Sequence, residues 1–327
     1  MARASLYVCR HRVALHIASF AHFDTIGSIC CGHMAATHFN ASLDVGVWNI
    51  IGDCFGGCIF CSTRRCGMKV TIITATYNNE STLESTIKSV VAQSYDNIEY
   101  IIVDGASNVG SLEIIMCYAS LYPQKIRYIS EPDRGVYNAI NKGIKMSSGD
   151  VIGLLHGNDT FSSPSIVEKV AEAMKDGDTP FIYGDVKYTR VGSDKVVRYY
   201  SSQQFTIEKL LQGIAPPHPS LYMRRDLFEK YGLYKEDYLI GADFDMFLRL
   251  MVVNKLVGKY LPLDMVTMTT GGLSTRFYHQ IFTNNREKYR ALRENSCNVS
   301  VFLLLKRYLC TLKSFINTNP LRNSQQK

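Results

Sequence analysis

The 327-residue chain predicts an α/β fold: a mixed, largely parallel sheet flanked by helices, with a second half of α+β character and a helical C-terminal tail. Three observations carry that expectation. Short, uniformly apolar, β-branched runs recur at Lys69–Thr76 (KVTIITAT), Ile98–Val103 and Val151–Leu155, as buried parallel strands require. Segments with helical apolar spacing separate them. Each run ends in polar, turn-forming residues: Thr76-Tyr77-Asn78, Asp104-Gly105 and His156-Gly157-Asn158-Asp159. In open parallel sheets, ligands bind beyond the carboxyl ends of the strands.

The elements follow in order from Met68. After the first strand and a turn at Tyr77–Glu80, a helix places Leu83, Ile87, Val90 and Val91 on one face. The strand at 98–103 leads to a second helix striped by Leu112, Ile115, Met116 and Ala119. Lys125–Ser130 (KIRYIS) is a third strand, and Val136, Ala139, Ile140 and Ile144 stripe a third helix. The fourth strand is 151–155. Beyond Ser162 the pattern changes: Phe181–Tyr188 and Val196–Tyr200 read as short strands, with another at Leu221–Met223. Asp243–Val253 is a helix with Phe244, Phe247, Leu248 and Met251 at core spacing. No G-x-G-x-x-G follows the first strand and no G-x-x-x-x-G-K-[ST] occurs, which argues against a Rossmann dehydrogenase and a P-loop ATPase.

Composition divides the chain into three. Residues 1–67 hold seven of the ten cysteines, five of the eight histidines, the single tryptophan and no Lys or Glu. Within them Cys54, Cys58 and Cys61 have the C-x3-C-x2-C spacing of a radical-SAM cluster loop, and Cys66 offers a fourth ligand for zinc. A cluster enzyme needs a barrel after that loop, and a different domain starts seven residues later. Residues 1–67 are therefore expected to be an extension outside the fold, with Met68 as the first residue of the working protein. The domain proper is expected at 68–275. Residues 276–327 form a tail with ten Lys or Arg against two Glu, whereas the middle is mildly acidic. That charge distribution argues against nucleic acid as a partner. The interrupted apolar stretch Val13–Phe23 is a poor signal peptide and no run is long enough to span a membrane, so a cytoplasmic protein is expected.

The segments TIITATYNN, IIVDGAS, EPDRGVYNAINKGI, SSGDVIGLLHGNDTF, YGDV, PPHPSLYMRRDLF, GADFDMFLRL and GGLS occur in this order. Together, over about 69–275, they resemble the inverting glycosyltransferases of family 2, which have the Rossmann-like GT-A fold. The branch most similar is that of colanic-acid, exopolysaccharide and glycolipid enzymes. The resemblance implies transfer of a sugar from a nucleotide-diphosphate donor, uridine-linked, to a glycan or lipid-linked acceptor.

The chemistry assigns roles to these residues. Leaving-group diphosphate needs a divalent ion, Mg²⁺ or Mn²⁺, held by carboxylate and phosphate oxygens. Asp159 matches the family's metal-binding acid; an Asx-turn is the bland alternative. The family carries a second acid where this chain has Asn158, whose amide can reach a ribose or sugar hydroxyl. An acceptor hydroxyl needs a base, and the resemblance gives that role to Asp243, against a simple helix cap. Asp104 matches the contact to the nucleotide base, with Thr76 and Tyr77 against base and ribose. Ser107 stands in a departing segment, Ala106-Ser107-Asn108-Val109, where the family has Gly-Ser-Thr-Asp, and turn formation is the alternative for both Asp104 and Ser107. Asp133 and Arg134 precede a helix N-terminus that can face anionic oxygens, the alternative for Arg134 being a surface ion pair. Asn141 and Gly143 are expected to shape the donor pocket. His218 is either a donor-phosphate contact or a packed histidine.

In the tail, Phe302, Leu305, Leu309, Leu312 and Ile316 fall at helical spacing beside Lys306, Arg307 and Lys313. Residues 298–316 thus read as a basic amphipathic helix suited to peripheral contact with an anionic membrane, or to packing on the domain. Two rival functions remain: a nucleotide-sugar-binding homologue without catalysis, and an iron–sulfur or zinc enzyme using the N-terminal cysteines.

Overall fold

The computed structural model describes residues 67–190, 193–270 and 277–297. The cysteine cluster before Gly67 and the amphipathic segment 298–316 lie outside the described residues. Strand β1 (Val70–Thr76) is buried at every position, as is β2 (Ile98–Asp104). They pair in parallel, from Val70 opposite Ile98 to Thr76 opposite Asp104. On the other side of β1 lies β4 (Val151–Leu154), and β3 (Ile126–Ser130) extends the sheet beyond β2, both again parallel. This parallel half is the one the alternating pattern predicts.

The second half continues the same sheet with mixed directions. The order is β3-β2-β1-β4-β8-β6-β9-β5, with β7 (Ser193–Tyr200) paired to β6 (Phe181–Arg190). Strand β8 (Tyr222–Arg224) runs antiparallel to both β4 and β6. Two strands escape the sequence pattern. The three-residue β5 (Asp159–Phe161) pairs with β9 (Lys259–Thr270), the longest strand among the described residues. Pro262 disguises β9, because proline cannot donate to a ladder. The structure accommodates it with a register shift, where Tyr183 faces Tyr260 but Asp185 faces Asp264.

Alternation along β1 feeds two core layers. Ile72 packs with Leu83, Ile87, Ile115 and Met265 on one face. Ile73 packs with Ile140, Ile144, Phe244 and Phe247 on the other. Helix α1 (Glu80–Val91) buries Leu83, Thr86, Ile87 and Val90, close to expectation. Helix α2 (Val109–Leu121) is rotated by about one residue from the expected stripe: Ser111, Ile115 and Tyr118 are buried, while Met116 is exposed. Helix α3 (Val136–Met146) leaves Val136 exposed and buries Tyr137 instead. Helices α4 (Ile166–Ala173), α5 (Ile207–Leu211) and α6 (Asp226–Tyr231) complete the connections. The helix expected over 243–253 is α7 (Ala242–Phe247) running into a π-helical segment, Leu248–Val253. Helix α8 (Phe277–Glu294) lies in the segment expected as tail, yet Ala291 and Leu292 enter the core. The packed domain therefore extends past residue 275.

Asn141 and Gly143, expected to shape the donor pocket, both make close packing contacts. Asn141 donates to the Tyr234 carbonyl at 2.8 Å and accepts from the Tyr234 amide at 3.1 Å. Gly143 lets α3 lie on β1, and a Cβ there would sit 2.5 Å from Cγ2 of Ile73. Overpacking of this kind costs about 1–3 kcal/mol. Gly143→Ala is expected to lower the urea midpoint accordingly with an unchanged denaturant slope; an unaltered midpoint would contradict this close contact.

Candidate functional site

The carboxyl ends of β1 and β2 and the turn after β4 converge. Thr76 and Asp104 are register partners at the last rung of β1–β2, and the Gly105 amide donates to the Thr76 carbonyl at 2.9 Å. Asp104 is fully buried. Its Oδ2 accepts from the Ser107 amide at 2.9 Å and the Ser130 hydroxyl at 2.6 Å. Its Oδ1 is buried with no hydrogen-bond partner, and so is Oγ1 of Thr76. Ser107 ties two loops together, since its Oγ accepts from the Asn78 amide at 2.8 Å while the Asn108 amide donates to Asn78 Oδ1 at 2.9 Å. Asn78 and Ala106 hold left-handed φ values of 52° and 59°, strain of the kind stored at binding loops. Tyr77 is exposed, and it and Asp133 flank Gly105: a Cβ on that glycine would meet Asp133 Oδ2 at 2.5 Å and the Tyr77 ring at 3.3 Å.

The turn after β4 lies against this edge. A Cβ on Gly157 would be 2.7 Å from Asn79 Nδ2 and 2.9 Å from Thr76 Oγ1. Asn158 is exposed at the tip of the turn, while Asp159 is 2% exposed. The Asp159 amide closes the turn on the His156 carbonyl at 3.0 Å. Its carboxyl Oδ2 has no partner, so the side chain does not cap an Asx-turn through that oxygen. Burial alone pushes the Asp159 carboxyl up to about 7. An isolated buried anionic oxygen fits a cation. No cluster of three or more His, Cys, Asp or Glu that could hold a metal occurs among the described residues. Asp159 would thus be a single protein carboxylate on an ion whose other ligands come from elsewhere.

A second group of residues begins at His156, in the same turn. The rings of His156 and His218 are 5.9 Å apart, and His218 Nε2 bonds the Tyr234 hydroxyl at 2.9 Å. Tyr234 stacks on Tyr137 at 5.9 Å. The Tyr137 hydroxyl donates to the Ile240 carbonyl, next to α7. Burial holds both imidazoles down at about 4, so they are neutral near pH 7. Asp243 is partly exposed, lies close enough to His156, Tyr137 and Tyr234 to perturb each, and is raised by burial against the opposing charge of Lys288. Its Oδ1 accepts from the Phe244 amide at 2.8 Å. The neighbouring Asp245 plays another part: fully buried, it binds Lys235 and Arg249, each at 2.8 Å. Of the residues singled out in the sequence, His218 is packed on Tyr234. Arg134 pairs with Glu236 at 2.6 Å and holds that carboxyl down at about 2. His156 is a site residue that sequence reasoning missed, although its place just past β4 was the available signal.

The family model described as Glycosyl transferase family 2 matches residues 71–232. An uncharacterised glycosyltransferase of Mycobacterium tuberculosis is 36% identical over 188 residues, 56% of this chain and 69% of that relative. The chain belongs to glycosyl transferase family 2. A PGL/p-HBAD biosynthesis glycosyltransferase of Mycobacterium bovis is 25% identical over 213 residues, 64% of this chain and 81% of that protein. Two solved structures share the fold at low identity. One is a mannosyltransferase of Pyrobaculum calidifontis in complex with GDP-Man and Mn²⁺, with a TM-score of 0.54, 14% identity and coverage of 77% of this chain and 76% of that one. The other is S. aureus TarS 1-349 in complex with UDP-GlcNAc, with a TM-score of 0.54, 13% identity and coverage of 77% and 72%. The family 2 chain has the GT-A fold. No helix among its described residues is long and apolar enough to cross a membrane.

The raised Asp159 carboxyl has a consequence for stability. Between its unfolded value near 4 and its folded value of about 7, the native state holds a proton that the unfolded chain has lost. Stability from this group is therefore greatest at low pH and falls as pH rises towards 7. Asp159→Asn should be more stable than the parent in metal-free buffer at pH 8, by about 1–4 kcal/mol. The difference should shrink as pH falls to 4. A pH-independent difference in denaturation midpoints would contradict the assignment of a buried, unpaired carboxylate.

Proposed function

We propose that this family 2 enzyme moves a sugar, with inversion, from a uridine-diphosphate donor to a hydroxyl of a glycan or lipid-linked acceptor, in surface polysaccharide or glycolipid biosynthesis. The observation that carries the reading is a pair of buried oxygens without partners at the joint end of β1 and β2, Thr76 Oγ1 and Asp104 Oδ1, with a third, Asp159 Oδ2, at the close of the turn after β4. In this reading Asp104 accepts from the nucleotide base, and Thr76, Tyr77 and Ser107 line base and ribose. Asp159 holds Mg²⁺ or Mn²⁺, which when bound neutralises charge on the departing diphosphate. Asn158, at the exposed tip of the same turn, offers its amide to a donor hydroxyl. Asp133 borders the nucleotide beside Tyr77. Arg134 reaches diphosphate only by leaving Glu236, and His218 acts by supporting the wall that contains His156.

Asp243 takes the proton of the acceptor hydroxyl as it attacks the anomeric carbon. Its surroundings suit proton abstraction, because a carboxyl lifted by burial is a stronger base than a solvated one, and Lys288 keeps its ionised form accessible. Support for the donor class comes from the GDP-Man, Mn²⁺ and UDP-GlcNAc of the fold neighbours. Support for a glycolipid product comes from the PGL/p-HBAD relative. The catalytic unit would be residues 68–275 together with α8, working in the cytoplasm, with 1–67 outside it and 298–316 touching the inner membrane face.

Slow hydrolysis of UDP-glucose or UDP-GlcNAc, with water as acceptor, tests the role of Asp243. Asp243→Asn should lower turnover by about 10²–10⁴ while donor affinity is retained. In the parent, the rate should rise with pH along a limb displaced above the ordinary carboxylate value of about 4. Undiminished turnover in Asp243→Asn would remove the base assignment. Donor binding with no turnover in the parent would favour the non-catalytic homologue.

A further inference from the structure

Residues 239–241 enter the α7 turn with three successive backbone amides, and all three point at one side chain. Glu287, on α8, accepts from the Leu239 amide at 2.8 Å through Oε1. Its Oε2 accepts from the Ile240 amide at 2.9 Å and from the Gly241 amide at 2.8 Å. Glu287 is 8% exposed, and 46 residues separate it from Gly241. A carboxylate collecting backbone N–H groups forms charge-assisted bonds about twice as strong as neutral ones. Gly241 is the N-cap position of α7 and offers no side chain of its own to cap that end. The contact is close as well as polar. A Cβ on Gly241 would fall 3.1 Å from Cβ of Glu287 and 3.3 Å from its Oε2.

The surrounding contacts fix both partners. On one side, Tyr137 of α3 holds the Ile240 carbonyl. On the other, Lys235 bridges the buried Asp245 of α7 to Glu294 of α8, with both bonds at 2.8 Å. Asn295, just past α8, donates to Asp245 at 2.9 Å. Helix α8 therefore grips the segment on either side of Asp243 without touching the reacting carboxyl through Glu287 itself.

We infer that Glu287 is a positioning residue for the catalytic base: its carboxylate latches the 239–241 backbone and so fixes where Asp243 meets the acceptor hydroxyl. The inference rests on the reading of Asp243 as base. It places a determinant of turnover on a helix beyond the family match at 71–232. Glu287→Gln replaces one acceptor oxygen by an N–H donor, which must confront either the Leu239 amide or the pair at Ile240 and Gly241. A displacement of the base by about 1 Å is enough to cost up to about 100-fold in rate.

The test uses the full chain, with UDP-glucose or UDP-GlcNAc as donor and water as acceptor, alongside hydrogen exchange of the 239–241 amides. Glu287→Gln should lose at least tenfold of the exchange protection there and ten- to hundredfold of kcat. Donor KM and UDP affinity in Mn²⁺ should stay within about twofold of the parent. Gly241→Ala, which presses on the latch while leaving its charge intact, should give the same kcat-selective loss; it serves if Glu287→Gln fails to fold. Lost protection with unchanged kcat would overturn the proposal. So would a parallel loss of kcat, KM and UDP binding, which marks a merely structural residue. Asp243→Asn run beside these variants separates the two levels. If it is inactive while Glu287→Gln is fully active, only the latch fails. If it keeps parental turnover, the base assignment fails and the latch has nothing to position.

Discussion

Burying a polar oxygen without a partner costs about 1–3 kcal/mol, and more when the group is ionised. The molecule tolerates two such oxygens, on Thr76 and Asp104, where β1 and β2 end together, and a third on Asp159 at the close of the turn after β4. Parallel pairing brings the first two together. Strand β1 is flanked in parallel by β2 and β4; β1 and β2 end together at Thr76 and Asp104, while β4 stops opposite Ile73 and the turn after it brings Gly157 to Thr76. The glycines in the turns then let the backbones close up, Gly157 against Thr76 and Gly105 against Asp133. Stability is sacrificed locally, while Ile72, Ile73, Ile101 and Ile102 secure the strands on both faces.

The other wall is built by a different logic. Apart from His156, just past β4, it depends on long-range side-chain bonds. Asn141 of α3 grips Tyr234 through both its amide atoms, Tyr234 supports His218, and His218 backs His156. Glu236 gathers Arg134, Asn138 and Asn141. Asp243 is thus held by helices α3, α7 and α8, whereas Asp159 is held by the sheet.

The parallel half was legible because its strands are buried on both faces and therefore spell uniform apolar runs. Asp104, Asp159 and Asp243 were legible because motifs in order placed them at element ends. What escaped was long-range. Strand β9 hides behind Pro262 and Asp264, whose places are understood only opposite the register shift in β6. Helix α8 reads as a basic tail because its charges dominate locally, yet Glu287 and Ala291 face inwards. The stripe of α2 departs from expectation at Met116 because an almost wholly apolar helix gives periodicity little to act on. Asp245 looks like a second cap in GADFDMF and becomes a buried ion-pair centre only once Lys235 and Arg249 are folded beside it.

The central claim is that the orphaned oxygens at the strand ends form a metal-assisted nucleotide site. The most direct test is calorimetric titration of UDP into the full chain with and without Mn²⁺, repeated with Asp159→Asn. Binding in Mn²⁺ is expected to weaken at least tenfold when the metal is chelated, and binding by Asp159→Asn to be insensitive to metal. Equal UDP affinity with and without Mn²⁺, or full metal dependence in Asp159→Asn, would contradict it.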